Sequence, residues 1–140
     1  MSDLELSTTI QMKVRFHECD PLQIVWHGNY FKYFEEGRED FCQKHGISYL
    51  DAKKNNFATP IVKTECEHKL PLKHSDEFEV ETSFINAEAA KMIFHYKIVS
   101  SGKLICTGRT TQVFTDKNSE LVLNNPPFFL DWKKKMGLIK

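Results

Sequence analysis

A chain of 140 residues, 41% apolar and 27% charged with zero formal net charge, has the size and composition of one ordinary globular domain spanning 1–140. The charge balance argues against a nucleic-acid or acidic-membrane partner, and no apolar run is long enough to span a bilayer. No secretory leader pattern opens the chain and the four cysteines form no CxxC pair, so the expected setting is cytoplasmic, with Cys19, Cys42, Cys66 and Cys106 reduced.

Residues 1–7 read as a loose start. Residues 10–16 alternate without a fault, which predicts a strand with Ile10, Met12, Val14 and Phe16 on one buried face. Pro21 stops that ladder, because proline has no N–H to donate. Ile24-Val25-Trp26 is a short apolar piece expected to tuck inward. Asn29 is the predicted N-cap of a helix over about 30–45. Within it Tyr30, Phe34, Gly37, Phe41 and His45 recur at helical spacing, Phe31 and Cys42 widen the stripe, and Glu35, Glu36, Glu39 and Asp40 mostly lie opposite. Gly37 stands on that stripe where a larger side chain belongs, which predicts close approach of the helix backbone to a sheet. Gly46 suits the position that ends the helix.

After a connector over 47–56 with one more helical turn, the pattern changes to period two. Strands are predicted over 61–70, 78–84, 92–99 and 104–115, the last two joined by a tight hairpin at Ser100-Ser101-Gly102-Lys103. Residues 116–123 read as a loop. Pro126-Pro127 then opens a short helix through Trp132, and Lys133-Lys134-Lys135 reads as a solvated face. One strand, one long helix and four further strands give an α+β domain. An antiparallel meander covers the apolar helix face and curves around it.

Residues 15–38 concentrate the chemistry. Asp20 supplies a carboxylate, and His27 and Gly28 sit just before the positive end of the predicted helix. Hydrolysis at a carbonyl needs a carboxylate to activate water or attack the carbon, and donors for the oxyanion that develops. Asp20 can serve as the first, and the backbone N–H groups near His27 and Gly28 as the second. The same residues have plainer readings. Asp-Pro is a common turn opener, and a lone histidine is more often packed than catalytic. His17, Glu18, Asp20 and His27 match no metal-ligand spacing, so no metal is expected, and neither is an organic cofactor.

The element order and the stretch carrying Cys19-Asp20-Pro21, Ile24-Val25-Trp26, His27, Asn29-Tyr30, Glu35 and Arg38 resemble the hotdog fold. More narrowly they resemble the 4-hydroxybenzoyl-CoA thioesterase and YbgC-type acyl-CoA thioesterase family. The Pro-containing turn at Leu70-Pro71-Leu72, followed by Ser75-Asp76, fits as well. Phe16 departs from the tyrosine that YbgC-type members often carry there, and the mixed wording leaves the acyl group open. The resemblance implies a long central helix wrapped by a curved antiparallel sheet, a homodimer or homotetramer, and hydrolysis of an acyl-CoA, or an acyl carrier protein thioester, to free acid. It implies Asp20 as general base or nucleophile and His27 as catalytic partner. Trp26, Asn29 and Tyr30 would stand near the substrate, and Lys69 and Lys73 near the coenzyme A phosphates. A hydratase or dehydratase, or a non-catalytic module that binds the thioester, are the competing functions.

Overall fold

A computed structural model describes residues 6–140, and the expected loose start at 1–5 lies outside them. The elements are β1 (Leu6–Lys13), a single 3-10 turn (Phe16–Glu18), α1 (Asn29–His45), α2 (Tyr49–Lys54), β2 (Ile61–His68), β3 (Glu77–Ile85), β4 (Lys91–Ser100), β5 (Lys103–Thr115), β6 (Leu121–Val122) and α3 (Pro127–Lys135). Five strands form one antiparallel sheet in the order β1-β3-β4-β5-β2, with β6 folded back onto β5. This is the hotdog arrangement of a long helix held by a curved sheet.

The helix buries Tyr30, Phe34, Gly37 and Phe41 of the predicted stripe and adds Tyr33, which the stripe omitted, while Cys42 and His45 are half-buried and Phe31 is exposed. Phe34 stacks on Tyr96 of β4 with ring centroids 4.6 Å apart. Phe41 meets Phe94 edge-on and lies parallel to Phe84. Each such ring contributes roughly 2–3 kcal/mol on burial. Gly37 makes the predicted close approach, since a Cβ there would collide with Thr82 Oγ1 and lie 2.9 Å from Val80 Cγ1 on β3. Gly46 ends the helix in the left-handed region (φ 71°), its N–H donating to Cys42 O.

The structure departs from the sequence reading in several places. Leu6 and Ser7 belong to β1, paired with Phe84 and Ser83. Phe16 is 80% exposed, because β1 stops at Lys13 and the chain turns away through the 3-10 turn. Of Ile24-Val25-Trp26 only Val25 is buried, while Trp26 is 49% exposed. Asn29 is the first helical residue and Gly28 the cap. β2 does not neighbour β3 in a simple meander. It crosses to the far edge beside β5, and its alternate face stays open, with Val62 59% exposed. The 116–123 segment contains β6, turned back by Asp116, whose Oδ1 accepts from Asn118 N and Glu120 N. α3 continues to Lys135, and Lys133 is only 2% exposed. The Lys133 ammonium donates to Ala87 O at 2.7 Å and lies 4.8 Å from the centre of the Phe129 ring.

Alanine normally improves a helix interior over glycine by about 1 kcal/mol. Gly37→Ala is expected to do the opposite and destabilise by about 1–3 kcal/mol through overpacking against Val80 and Thr82. A lower denaturation midpoint at unchanged m-value checks this.

Candidate active site

The site is assembled where the loop between β1 and α1 meets the loop between β2 and β3. Residues 19–25 form a small hairpin closed by a Cys19–Val25 bridge. Its turn is Asp20-Pro21-Leu22-Gln23, with Gln23 N donating to Asp20 O at 2.9 Å. Pro21 fits the second position of such a turn. Gln23 takes a left-handed backbone (φ 66°), which costs a non-glycine residue about 1 kcal/mol. The Asp20 side chain closes the turn locally, Oδ1 accepting from Leu22 N at 2.8 Å. One carboxylate oxygen therefore serves the turn, as the plainer reading expects, and the residue also lines a cleft.

That cleft, of about 290 Å³, is lined by Asp20, His27 and Tyr30 together with His68, Lys69 and Pro71. It joins the acid and the histidine to one predicted lysine, Lys69, which lies 42 positions after His27, a separation local periodicity does not report. The two loops are stitched by Val25 N donating to Leu72 O at 2.8 Å and by an Ile24–Lys73 bridge. Lys73 is thereby held through its backbone and is not among the lining residues, whereas Lys69 is there and pairs with Glu67 at 2.6 Å. His68, which the sequence reading did not single out, meets the Tyr30 ring edge-on at 4.9 Å.

Tyr30 is a rigid wall. Burial pushes its phenol up to about 12, and a hydrogen bond with the Leu72 backbone offsets part of that shift. Trp26 packs against the His27 ring, with centroids 5.1 Å apart, and lies over Gly28, so its face shields the cap of α1. Asn29 is buried and turned away from the cleft, its amide donating to Glu18 O at 2.8 Å.

The first turn of α1 carries no acidic side chain, so the positive helix end is not neutralised from within the helix. Among the described residues, no backbone carbonyl accepts from the N–H of His27 or Gly28. Cys19 is a poor nucleophile at neutral pH. Desolvation first, and then the Asp20, Glu18 and Asp76 carboxylates, hold its thiol above the ordinary value. Glu35 and Arg38 stand apart, lining a second cleft of about 540 Å³ with Cys42, Ile61 and Gln112. There Arg38 Nη1 donates to Tyr96 OH at 3.4 Å. No group of three or more His, Cys, Asp or Glu side chains among the described residues is placed to share an ion.

The sequence profile of the family described as the thioesterase-like superfamily matches residues 14–133. A Bacillus subtilis protein named "Putative acyl-CoA thioesterase YneP" is 28% identical over 123 residues, covering 87% of this chain and 89% of that one. The acyl-CoA thioester hydrolase YbgC of Escherichia coli is 21% identical over 90 residues, 64% of this chain and 67% of that one. In fold, the crystal structure of a DHNA-CoA thioesterase from Staphylococcus aureus matches with a TM-score of 0.82 at 23% identity, covering 94% of this chain and 89% of that chain.

Burial raises the phenols of Tyr30, Tyr33 and Tyr96 in the folded state. Above pH ~10 the unfolded phenols release their protons while the folded ones keep theirs. The unfolded state then binds fewer protons, so stability is present below pH ~10 and is lost as pH rises toward 12. Denaturation midpoints measured from pH 8 to 11.5 should fall in that upper range, and Tyr30→Phe should make the fall shallower.

Proposed function

The chain belongs to the thioesterase-like superfamily, and from that premise we propose that it hydrolyses the thioester of an acyl-CoA to the free acid and coenzyme A. The observation that carries this reading is the placement of Asp20 in one cleft with His27, at the uncapped positive end of α1. Asp20 acts as general base on a water or attacks the carbonyl carbon itself. The backbone N–H groups near His27 and Gly28 take the oxyanion, a donor set able to supply about 10²–10³-fold in rate. The C–S bond then breaks, the thiolate leaves with a proton, and water provides the oxygen of the released acid. If Asp20 is the nucleophile, that water instead cleaves an acyl-aspartyl anhydride. His27, exposed beside the carboxylate, orients the thioester or carries the proton.

Tyr30 and Trp26 form walls for the acyl group, and Lys69 meets the coenzyme A phosphates. Lys73, next to it on the same loop, is the second phosphate contact, reached from outside the cleft. The working form is a homodimer, doubling to a tetramer. This is supported by β2, an edge strand whose outer N–H and C=O groups have no strand beside them among the described residues and whose side chains are mostly exposed. Four free thiols fit a cytoplasmic setting, and no helix among the described residues is long and apolar enough to cross a membrane.

The test is thiol release from acetyl-CoA, palmitoyl-CoA and benzoyl-CoA, run beside Asp20→Asn. Wild-type protein should release thiol from at least one of them. Asp20→Asn should lower kcat by about 10³-fold while leaving the melting temperature within a few degrees. Full activity in Asp20→Asn would remove Asp20 from the chemistry. Binding without release would indicate a binding module or a carrier-protein substrate, and water addition to an enoyl thioester would indicate a hydratase.

A further inference from the structure

Asp20 lies on a surface hairpin, whereas the oxyanion donors lie at the end of a packed helix. Something must fix one against the other, because a shift of about 1 Å between reacting groups can cost 10²-fold in rate. The bonds within the hairpin do not do this. Asp20 N to Ile24 O closes the hairpin on itself, and Val25 N to Leu72 O ties it to the β2–β3 loop. Beyond the turn bond from Asn29 N to Trp26 O, the ties to α1 converge on one residue, Glu18, two positions before Asp20. Its carbonyl accepts from Trp26 N at 3.0 Å and from the Asn29 amide at 2.8 Å. Its carboxylate oxygen Oε1 accepts from Arg15 N at 2.8 Å and from the Tyr33 hydroxyl at 2.9 Å.

Both helix-borne donors are buried and held by packing. Asn29 is the first residue of α1, and Tyr33, one turn on, packs its ring against Phe78 and Tyr30. Burial, and then the bond to Glu18, raise the Tyr33 phenol, so it stays a donor throughout the neutral range. Glu18 therefore joins both ends of the hairpin to the first turns of α1 through a carbonyl and a carboxylate at once.

We propose that Glu18, Asn29 and Tyr33 are positioning residues for the reaction, setting the placement of the Asp20 carboxylate relative to the N-terminus of α1. The proposal rests on the thioesterase reading above. None of the three needs to touch substrate. Their effect reaches the reacting atoms through the hairpin, so it belongs to kcat and not to substrate affinity.

The experiment uses full-length protein and the fastest acyl-CoA of the panel. Tyr33→Phe removes one hydroxyl and keeps the packed ring, so the fold is retained. It should lower kcat about tenfold with KM within about twofold. Glu18→Ala should cost more, and Glu18→Gln, which keeps an oxygen to accept from Tyr33 and Arg15, should recover most of that loss. Wild-type kcat in folded Tyr33→Phe and Glu18→Ala overturns the proposal, as does a loss of rate that merely tracks a loss of folded protein by circular dichroism. If Asp20→Asn is inactive while these variants are normal, only the positioning role fails. If Asp20→Asn hydrolyses at the wild-type rate, the reading of the site itself fails.

Discussion

The structure depends on how closely α1 can lie against β3. Gly37 leaves the helix axis near enough to the sheet for Thr82 and Val80 to touch its backbone. That contact sets the depth at which Phe34 and Phe41 reach β4, and with it the seating of the whole aromatic core. Packed side chains are nearly as dense as an organic crystal, so a helix displaced at its middle is displaced at its end. The N-terminus of α1, where chemistry is proposed, is located by a contact two and a half turns away.

Labour is divided between the helix and the hairpin. The helix brings a fixed dipole and rigid walls, with Tyr30 wedged between His68 and Tyr33. The hairpin brings the carboxylate, and it bends sharply enough to force Gln23 into a left-handed conformation. A loop that strained needs ties on both sides. It has them, to Leu72 on the sheet side and through Glu18 on the helix side.

The elements were legible because burial is written in local spacing. Period two marked the strands, and helical recurrence with Gly37 and Gly46 marked α1 and its end. What escaped depends on residues distant in the chain. β2 pairs with β5 and not with β3, a pairing that alternation cannot choose. Lys133 is buried because Ala87, 46 positions earlier, offers a carbonyl to its ammonium. Asn29 is of the right type for a cap, yet its amide is spent on Glu18, which no local rule would assign. Of the candidate site, Asp20 and His27, which line one cleft, were visible in one short stretch. His68 joined it only through the fold, and Lys73, expected near the coenzyme A phosphates, is held by its backbone and lies outside the cleft lining.

The two tryptophans occupy opposite environments. Trp132 is buried in the aromatic cluster of α3, its indole N–H donating to His45 O at 2.6 Å, parallel to Phe129 and edge-on to Phe84. Trp26 is half in solvent beside the His27 imidazole. Intrinsic fluorescence therefore carries separable signals. Trp132 emits toward the blue and reports the integrity of the core. Trp26 emits toward the red and is open to aqueous quenchers. The protein therefore carries two optical gauges of its own, one of the core and one of the loop that leads into α1, with no added dye.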